Sequence, residues 1–465
     1  MPGQEYPAAR SRVARPVHPD HPDHPDHFDH TVPFVRTGDF GTASPAPAGA
    51  TAGPGGSPGS SGAADPRRVA GLARLADRPI VPGLIAVAGA LAFVLARLQT
   101  WAQGSISRFI LVGQHFATPA QLPRGIAVAP AYGYDGQFFY RLALDPLNFR
   151  LTAFGITVDR PYRFMRIGYP ALTWLVSAGQ HAVVPLLLVA VNVVAIGAIG
   201  FLGGVIARQA GRHALAGLLL PAYFGLITSL ARDTAEPLAA ACLLGGLLAI
   251  RARRPALAAV LLAYGALTRE TVMVAVAAIA AVQVFGILAR RRPARVSGDD
   301  LPWLVPAVAF TAWQVVVRAA TGSSTVLADG GRNAGVPFTG LFDALKANLA
   351  HFDAHRFDQV DLWFWQLAVL LAFAVAALAC LRSTTAPAHE RLAFVLFLVE
   401  TCVVTPATWS SLDSDLRSFV EVYLLAVVIL LGAPLRSLAT RLLPYLAAFG
   451  LPVLGLVTER RLVGS

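Results

Sequence analysis

Charged side chains are scarce in this chain. Asp, Glu, Lys and Arg together make up 14% of its 465 residues, where soluble domains carry roughly 25%. So few charges cannot cover a water-facing surface, which excludes an ordinary soluble enzyme. Cysteine is nearly absent as well. Cys242, Cys380 and Cys402 all fall within apolar runs and show neither pairing nor metal spacing, so they read as small core hydrophobes. The N-terminal residues lack the form of a signal peptide, because the first apolar segment begins near Ile80, far beyond a typical targeting length. No glycine loop of the phosphate-cradling kind is found. The glycines of Gly197–Gly204 sit inside an apolar segment, where they permit close helix packing instead.

What the sequence has is hydrocarbon: 55% of residues are hydrophobic and the mean hydropathy is +0.56, so lipid is the expected solvent for much of the chain. The formal net charge of +11 does not point to nucleic acid. The arginines bracket apolar segments rather than forming one basic face, the pattern of membrane topology and anionic headgroups. Residues 1–75 are rich in Pro, Gly, Ala, Ser and Asp and read as a disordered cytoplasmic tail. Within it, histidines recur every third residue from His18 to His27. Such imidazoles can capture a divalent metal weakly, but a flexible repeat lacks closed ligand geometry, and the tract reads as low-complexity sequence.

Residues 76–460 form the expected transmembrane domain, an all-α polytopic fold of about 11 helices, within a range of roughly 10 to 12. Apolar stretches fall near 79–99, 182–206, 214–230, 235–250, 256–268, 271–289, 301–319, 361–381, 391–408, 419–434 and 442–457. Arginine bias sets the orientation. Arg67, Arg68, Arg74 and Arg78 hold the N-terminus in the cytoplasm. The next inner loops carry Arg208 and Arg212, then Arg251, Arg253 and Arg254, then Arg290, Arg291, Arg292 and Arg295. The turns between them, holding Arg232 and Arg269, face outward. Two outer loops are long, 100–180 and 321–360. The first is rich in aromatic residues, which argues for order, and is expected to end in an interfacial helix over Tyr169–Gly179.

The most informative stretch is Tyr132–Arg141 in the first loop. Asp135 sits between residues that permit tight turns, next to Gln137 and among aromatic rings. A carboxylate there can accept a proton from a hydroxyl nucleophile or ligate a metal, and the rings can stack on a sugar face or an isoprenoid. The plainer alternative is a turn that caps the helix starting at Gln137. Arg232, Asp233 and Glu236 occupy one outer turn, Arg269 and Glu270 the next, and Asp413, Asp415 and Arg417 a third. Each group alone suits local pairing or helix capping. Their common side with Asp135 favours a shared site, because ionisable groups at membrane depth cost roughly 2.5–3.5 kcal/mol each. Arg163 and Arg166 border the interfacial helix where a lipid phosphate would lie, or anchor that helix to headgroups.

The run Tyr134-Asp135-Gly136-Gln137-Phe138-Phe139-Tyr140, with Arg166-Ile167-Gly168-Tyr169-Pro170, Arg232-Asp233-Thr234-Ala235-Glu236-Pro237 and Leu267-Thr268-Arg269-Glu270-Thr271, resembles bacterial membrane proteins grouped near the GT-C superfamily of membrane glycosyltransferases. The order of elements is similar too, and the resemblance covers roughly residues 79 to 435. It implies an inverting transferase of the bacterial cell membrane that takes a sugar from a polyprenyl-phosphate donor and gives it to an envelope glycan, lipid or protein. It assigns the base or metal-placing role to Asp135. Tyr134, Gln137, Tyr140, Arg141, Arg163, Arg166, Arg232, Asp233, Glu236, Arg269, Glu270 and Arg417 become expected substrate-binding residues. Many members carry paired acidic residues in this loop. Here one Asp stands alone, so metal dependence stays open and Asp233 or Glu236 becomes the candidate second carboxylate. The alternatives are an envelope-lipid transporter or flippase and a non-catalytic assembly scaffold, but neither pseudo-symmetric halves nor mid-membrane ionisable residues stand out.

Overall fold

A computed structural model describes residues 75–291, 295, 297–323, 334–352, 359–409 and 416–463. The chain divides into Met1–Ala63 and Ala64–Ser465, and every described residue belongs to the second unit. The His-Pro-Asp repeat, Asp413 and Asp415 lie outside the described residues.

The described residues are mostly helical. Helix α1 spans Ile80–Thr100, and the first long loop holds α2 (Gly136–Leu144) and α3 (Gly168–Ser177). Then come α4 (Val184–Gln209), α5 (Phe224–Ala231), α6 (Glu236–Arg251), α7 (Pro255–Thr268), α8 (Val272–Leu288) and α9 (Leu301–Thr321). The remainder comprises α10 (Thr339–Ala350), α11 (Gln359–Cys380), α12 (Ala388–Val403), α13 (Val420–Leu431) and α14 (Leu438–Val463). Among the described residues, strand is confined to two minimal pairs in the first loop: Val112–Gly113 runs parallel to Val128–Ala129, and Thr152–Ala153 antiparallel to Ile156–Thr157.

Every apolar stretch of the sequence is helical, but two expected spans are interrupted. Residues 214–230 form a 3-10 turn, Ala214–Leu219, and then the short α5. Pro221 lies between them and supplies no backbone N–H to carry a helix through. The stretch 391–408 ends as α12 at Val403 and resumes as one helical turn at Pro406, for the same reason. The expected surface helix is found as α3. It buries Tyr169, Pro170 and Thr173 and exposes Trp174, Leu175 and Val176.

Five helical segments among the described residues are long and apolar enough to cross a membrane: Ile80–Thr100, His181–Gln209, Gly298–Thr321, Val360–Cys380 and Thr440–Val463. Their outward faces carry exposed Leu84, Leu95, Val194, Val308 and Val375. A contiguous apolar exterior of this kind is stable in lipid and not in water, so this is a membrane protein. At the centre, α13 is buried at all 12 positions, as expected of a helix apolar on every side. Close packing along α4 depends on its glycines. A Cβ at Gly200 would stand 2.6 Å from the Pro82 carbonyl oxygen, and one at Gly203 would stand 2.4 Å from that of Gly217.

The first loop is folded, as its aromatic content requires. Phe138, Phe139, Tyr140, Phe164 and Tyr169 form one core with Val184 and Leu188 of α4 and Val317 of α9. Arg141 ties α2 to the following chain, donating to the Asn148 carbonyl at 2.6 Å and to the Arg150 carbonyl. The apolar core fixes α2 against the helical body.

Candidate active site

Two glycines place Asp135. Gly133 has φ +74, and a Cβ there would stand 2.4 Å from the Gly113 nitrogen, so a side chain is excluded both by conformation and by space. A Cβ at Gly136 would stand 2.4 Å from the Arg232 carbonyl oxygen. The start of α2 therefore presses directly on the turn between α5 and α6. Gln137 locks this corner, donating to the Tyr132 carbonyl and accepting from the Gly113 N–H, both at 3.1 Å.

Asp135 stands at the N-cap position of α2 yet makes no capping hydrogen bond. Its carboxylate instead accepts from Arg163 Nη1 at 2.8 Å and from Arg417 Nη2 at 2.6 Å. Burial opposes its ionisation, but Arg163, Arg417 and Arg166 outweigh that effect and hold the carboxyl well below the usual carboxylate range. Arg417 also donates to the Tyr134 hydroxyl at 2.8 Å and to Glu236. The Tyr134 ring lies 4.1 Å from the Arg232 guanidinium and 5.0 Å from that of Arg417.

A second ion pair lies alongside. Arg166 donates to Glu270 at 2.8 and 2.5 Å and to the Tyr162 hydroxyl at 2.6 Å, and that hydroxyl donates to Glu270. Burial opposes ionisation of Glu270 as well, but Arg166 and the Tyr162 hydroxyl bring its pKa down to about 2. Arg269 pairs with both oxygens of Glu421 at 3.1 Å and donates to the Ser418 carbonyl at 3.0 Å. The forked contact of Arg166, Nε and Nη2 to the two Glu270 oxygens, is a geometry suited to planar carboxylate and phosphate groups alike.

These groups line one cleft of about 410 Å³, within the usual size of a small-molecule site. Of the residues expected from sequence, Tyr134, Asp135, Gln137, Arg163, Arg166, Arg269, Glu270 and Arg417 line it. The other five do not. Tyr140 and Arg141 are fully buried in the loop core, more than one turn along α2 from Asp135. Arg232 stands behind Tyr134. Glu236 is 2% exposed and reaches the site only through Arg417.

Asp233 is fully buried with φ +48, and neither carboxylate oxygen has a hydrogen-bond partner. Burial pushes its carboxyl well above the usual range, with Arg97 opposing weakly. It is not a helix cap, and it is not a second carboxylate beside Asp135. Among the described residues no group of three or more His, Cys, Asp or Glu side chains converges as a metal site would. Asp135, Asp159, Glu270 and Glu421 in the cleft pair with guanidiniums instead.

Cleft residues that the sequence did not single out as site members include Asp159, Arg160, Tyr162, Glu400, Thr401, Thr408 and Glu421. Glu400 and Glu421 sit in α12 and α13, within stretches read as plain spans. An acidic residue inside an apolar run was the available signal.

Comparison of the sequence with protein-family models and with curated proteins finds no match in either.

Proposed function

We propose that this chain is a glycosyltransferase of the bacterial cell membrane, with a cytoplasmic N-terminus, about 11 spans and an outward-facing site. It moves a hexose or pentose from a polyprenyl-phosphate donor to an envelope glycan, lipid or protein, with inversion at the anomeric carbon. One observation carries this. Arginines from the first loop, from the turn before α8 and from the approach to α13 converge with Asp135 on one cleft, although Asp135 and Arg417 are 282 residues apart in sequence.

The cleft's composition suits each part of such a substrate. Arg163, Arg166 and Arg417 offer a phosphodiester the forked contacts they now give to carboxylates, and they offset the charge that grows on the departing phosphate. Phe397, Val404, Phe419 and Val422 form an apolar wall where the first isoprene units can lie. A carboxylate held as acidic as Asp135 has little affinity for a proton. Its ionised form suits a different task, steadying the positive charge that develops at the anomeric carbon of an oxocarbenium-like transition state.

The test uses purified protein in nanodiscs with synthetic polyprenyl-phosphate pentoses and hexoses and an envelope-fraction acceptor. The wild type is expected to release polyprenyl phosphate and form a product of inverted configuration, and Asp135→Asn to reduce that at least about a hundredfold while remaining folded. Release from none of the donors, or undiminished release by Asp135→Asn, refutes the assignment.

A further inference from the structure

Glu400 differs from every other acid in the cleft. Asp135, Asp159, Glu270 and Glu421 each sit in an ion pair with an arginine. Glu400, on α12, lines the same cleft and is partly exposed, yet among the described residues its side chain makes no hydrogen bond and no ion pair. Placing an ionisable side chain in an apolar helix costs roughly 2.5–3.5 kcal/mol, and among the described residues no ion pair offsets that cost.

Its position is as informative as its freedom. The charged groups around Asp135 are Arg163, Arg417 and Arg166. Those around Glu400 are Glu421, Arg269 and Glu270. Asp135, at the start of α2, is held by Arg163 and Arg417, whereas Glu400 lines the cleft from α12 beside Phe397 and Thr401, so the guanidiniums suited to phosphate are engaged at Asp135 and not at Glu400. In a single displacement with inversion, the acceptor attacks the face of the sugar opposite the leaving phosphate, and the base belongs on that opposite face.

We infer that Glu400 is the general base, a role that rests on the transferase reading above and leaves Asp135 to hold the arginines and the developing positive charge. The acceptor hydroxyl gives its proton to a Glu400 carboxylate oxygen as its own oxygen bonds to the anomeric carbon. The bond from that carbon to the phosphate oxygen breaks, and its electron pair leaves with polyprenyl phosphate. Charge is balanced, because the neutral hydroxyl becomes a glycosidic oxygen and the proton stays on Glu400. Thr401 and Thr408, which also line the cleft, are positioned to orient a hydroxylated acceptor.

The experiment compares wild type, Glu400→Gln and Glu400→Asp in nanodiscs with the same polyprenyl-phosphate sugars, and measures binding of polyprenyl phosphate itself. Glu400→Gln is expected to lose transfer to hydroxyl acceptors by about 10²–10⁴-fold, with polyprenyl phosphate affinity within about twofold of wild type and partial activity restored by Glu400→Asp. Azide carries no proton to remove. With it as acceptor, Glu400→Gln is expected to form the inverted glycosyl azide at least about tenfold faster than it glycosylates a hydroxyl. Wild-type transfer by Glu400→Gln overturns the inference, as does loss of polyprenyl phosphate binding together with transfer, or failure of azide to give product. Those outcomes with an active wild type leave the transferase reading standing, whereas an inactive wild type removes both.

Discussion

Neutralising Asp135 should separate two effects that a simple substrate-binding residue would combine. Asp135→Asn keeps the side chain's shape but removes the charge that engages Arg163 at 2.8 Å and Arg417 at 2.6 Å. Hydrogen bonds to charged groups contribute about 1.5–3 kcal/mol each. The Asp135 and Arg163 side chains are each 19% exposed, so solvent screens part of this, and the amide oxygen still accepts one bond. Removing competition worth about 1.4 kcal/mol makes polyprenyl phosphate bind about tenfold tighter. The same change deletes the charge beside the reacting carbon, and loss of one such electrostatic group lowers turnover by about 10²–10³. Affinity should rise while turnover falls. Titration with polyprenyl phosphate by calorimetry, alongside transfer from labelled donor, measures both. Weaker phosphate binding in a variant whose Tm stays within a few degrees of wild type would mean that Asp135 does not compete for these arginines.

Four further outcomes follow from individual contacts. Glu270 has a folded pKa of about 2, below the ordinary value near 4.3, so its ion pair stabilises fully above about pH 4.3 and less as pH falls toward 2. The Tm of the wild type should therefore drop between pH 5 and 3 more steeply than that of Glu270→Gln, and parallel curves would contradict this. Asp233 is fully buried with no hydrogen bond to its carboxylate oxygens, and burial disfavours its charged form, so Asp233→Asn should match or exceed wild-type Tm at pH 7, and a drop of more than about 1 kcal/mol in stability would show a charged role. Gly136→Ala brings a Cβ against the Arg232 backbone and should cost about 1–3 kcal/mol or more, whereas Gly89→Ala meets nothing within 4 Å and should be neutral or slightly stabilising, both read from thermal unfolding. Arg417→Lys cannot serve Tyr134, Asp135 and Glu236 at once, so transfer should fall at least about tenfold while expression persists.

The helical body was legible because hydropathy of spanning length needs no tertiary information. Its two interruptions were also written in the chain, at Pro221 and Pro406, but their apolar neighbours masked them. The site was legible as a set of polar turns and not as a set of pairs. Nothing local to Asp135 indicates that it meets Arg417, because that contact is made by helices packing in three dimensions. Adjacency misled at Tyr140 and Arg141. Once α2 begins at Gly136, these residues turn away from Asp135 into the loop core, and the polar end of Arg141 is consumed by carbonyls. Glu400 was passed over for the opposite reason: its apolar neighbours made its segment look like an uninterrupted span.

Charge balance explains how such a cleft can exist beside lipid. Arg160, Arg163, Arg166, Arg269 and Arg417 line it, and so do Asp135, Asp159, Glu270 and Glu421, each of these four acids paired with an arginine. Isolated buried charges would be prohibitive, whereas mutual pairing keeps them tolerable. An arriving phosphodiester then exchanges with a carboxylate on an arginine that is never left bare, so binding need not begin by stripping water from a lone guanidinium. The same exchange limits affinity, since the displaced carboxylate must be accommodated. Modest ground-state binding with strong contacts to the departing phosphate is what transition-state stabilisation requires, and a cleft full of preformed ion pairs is one physical route to it.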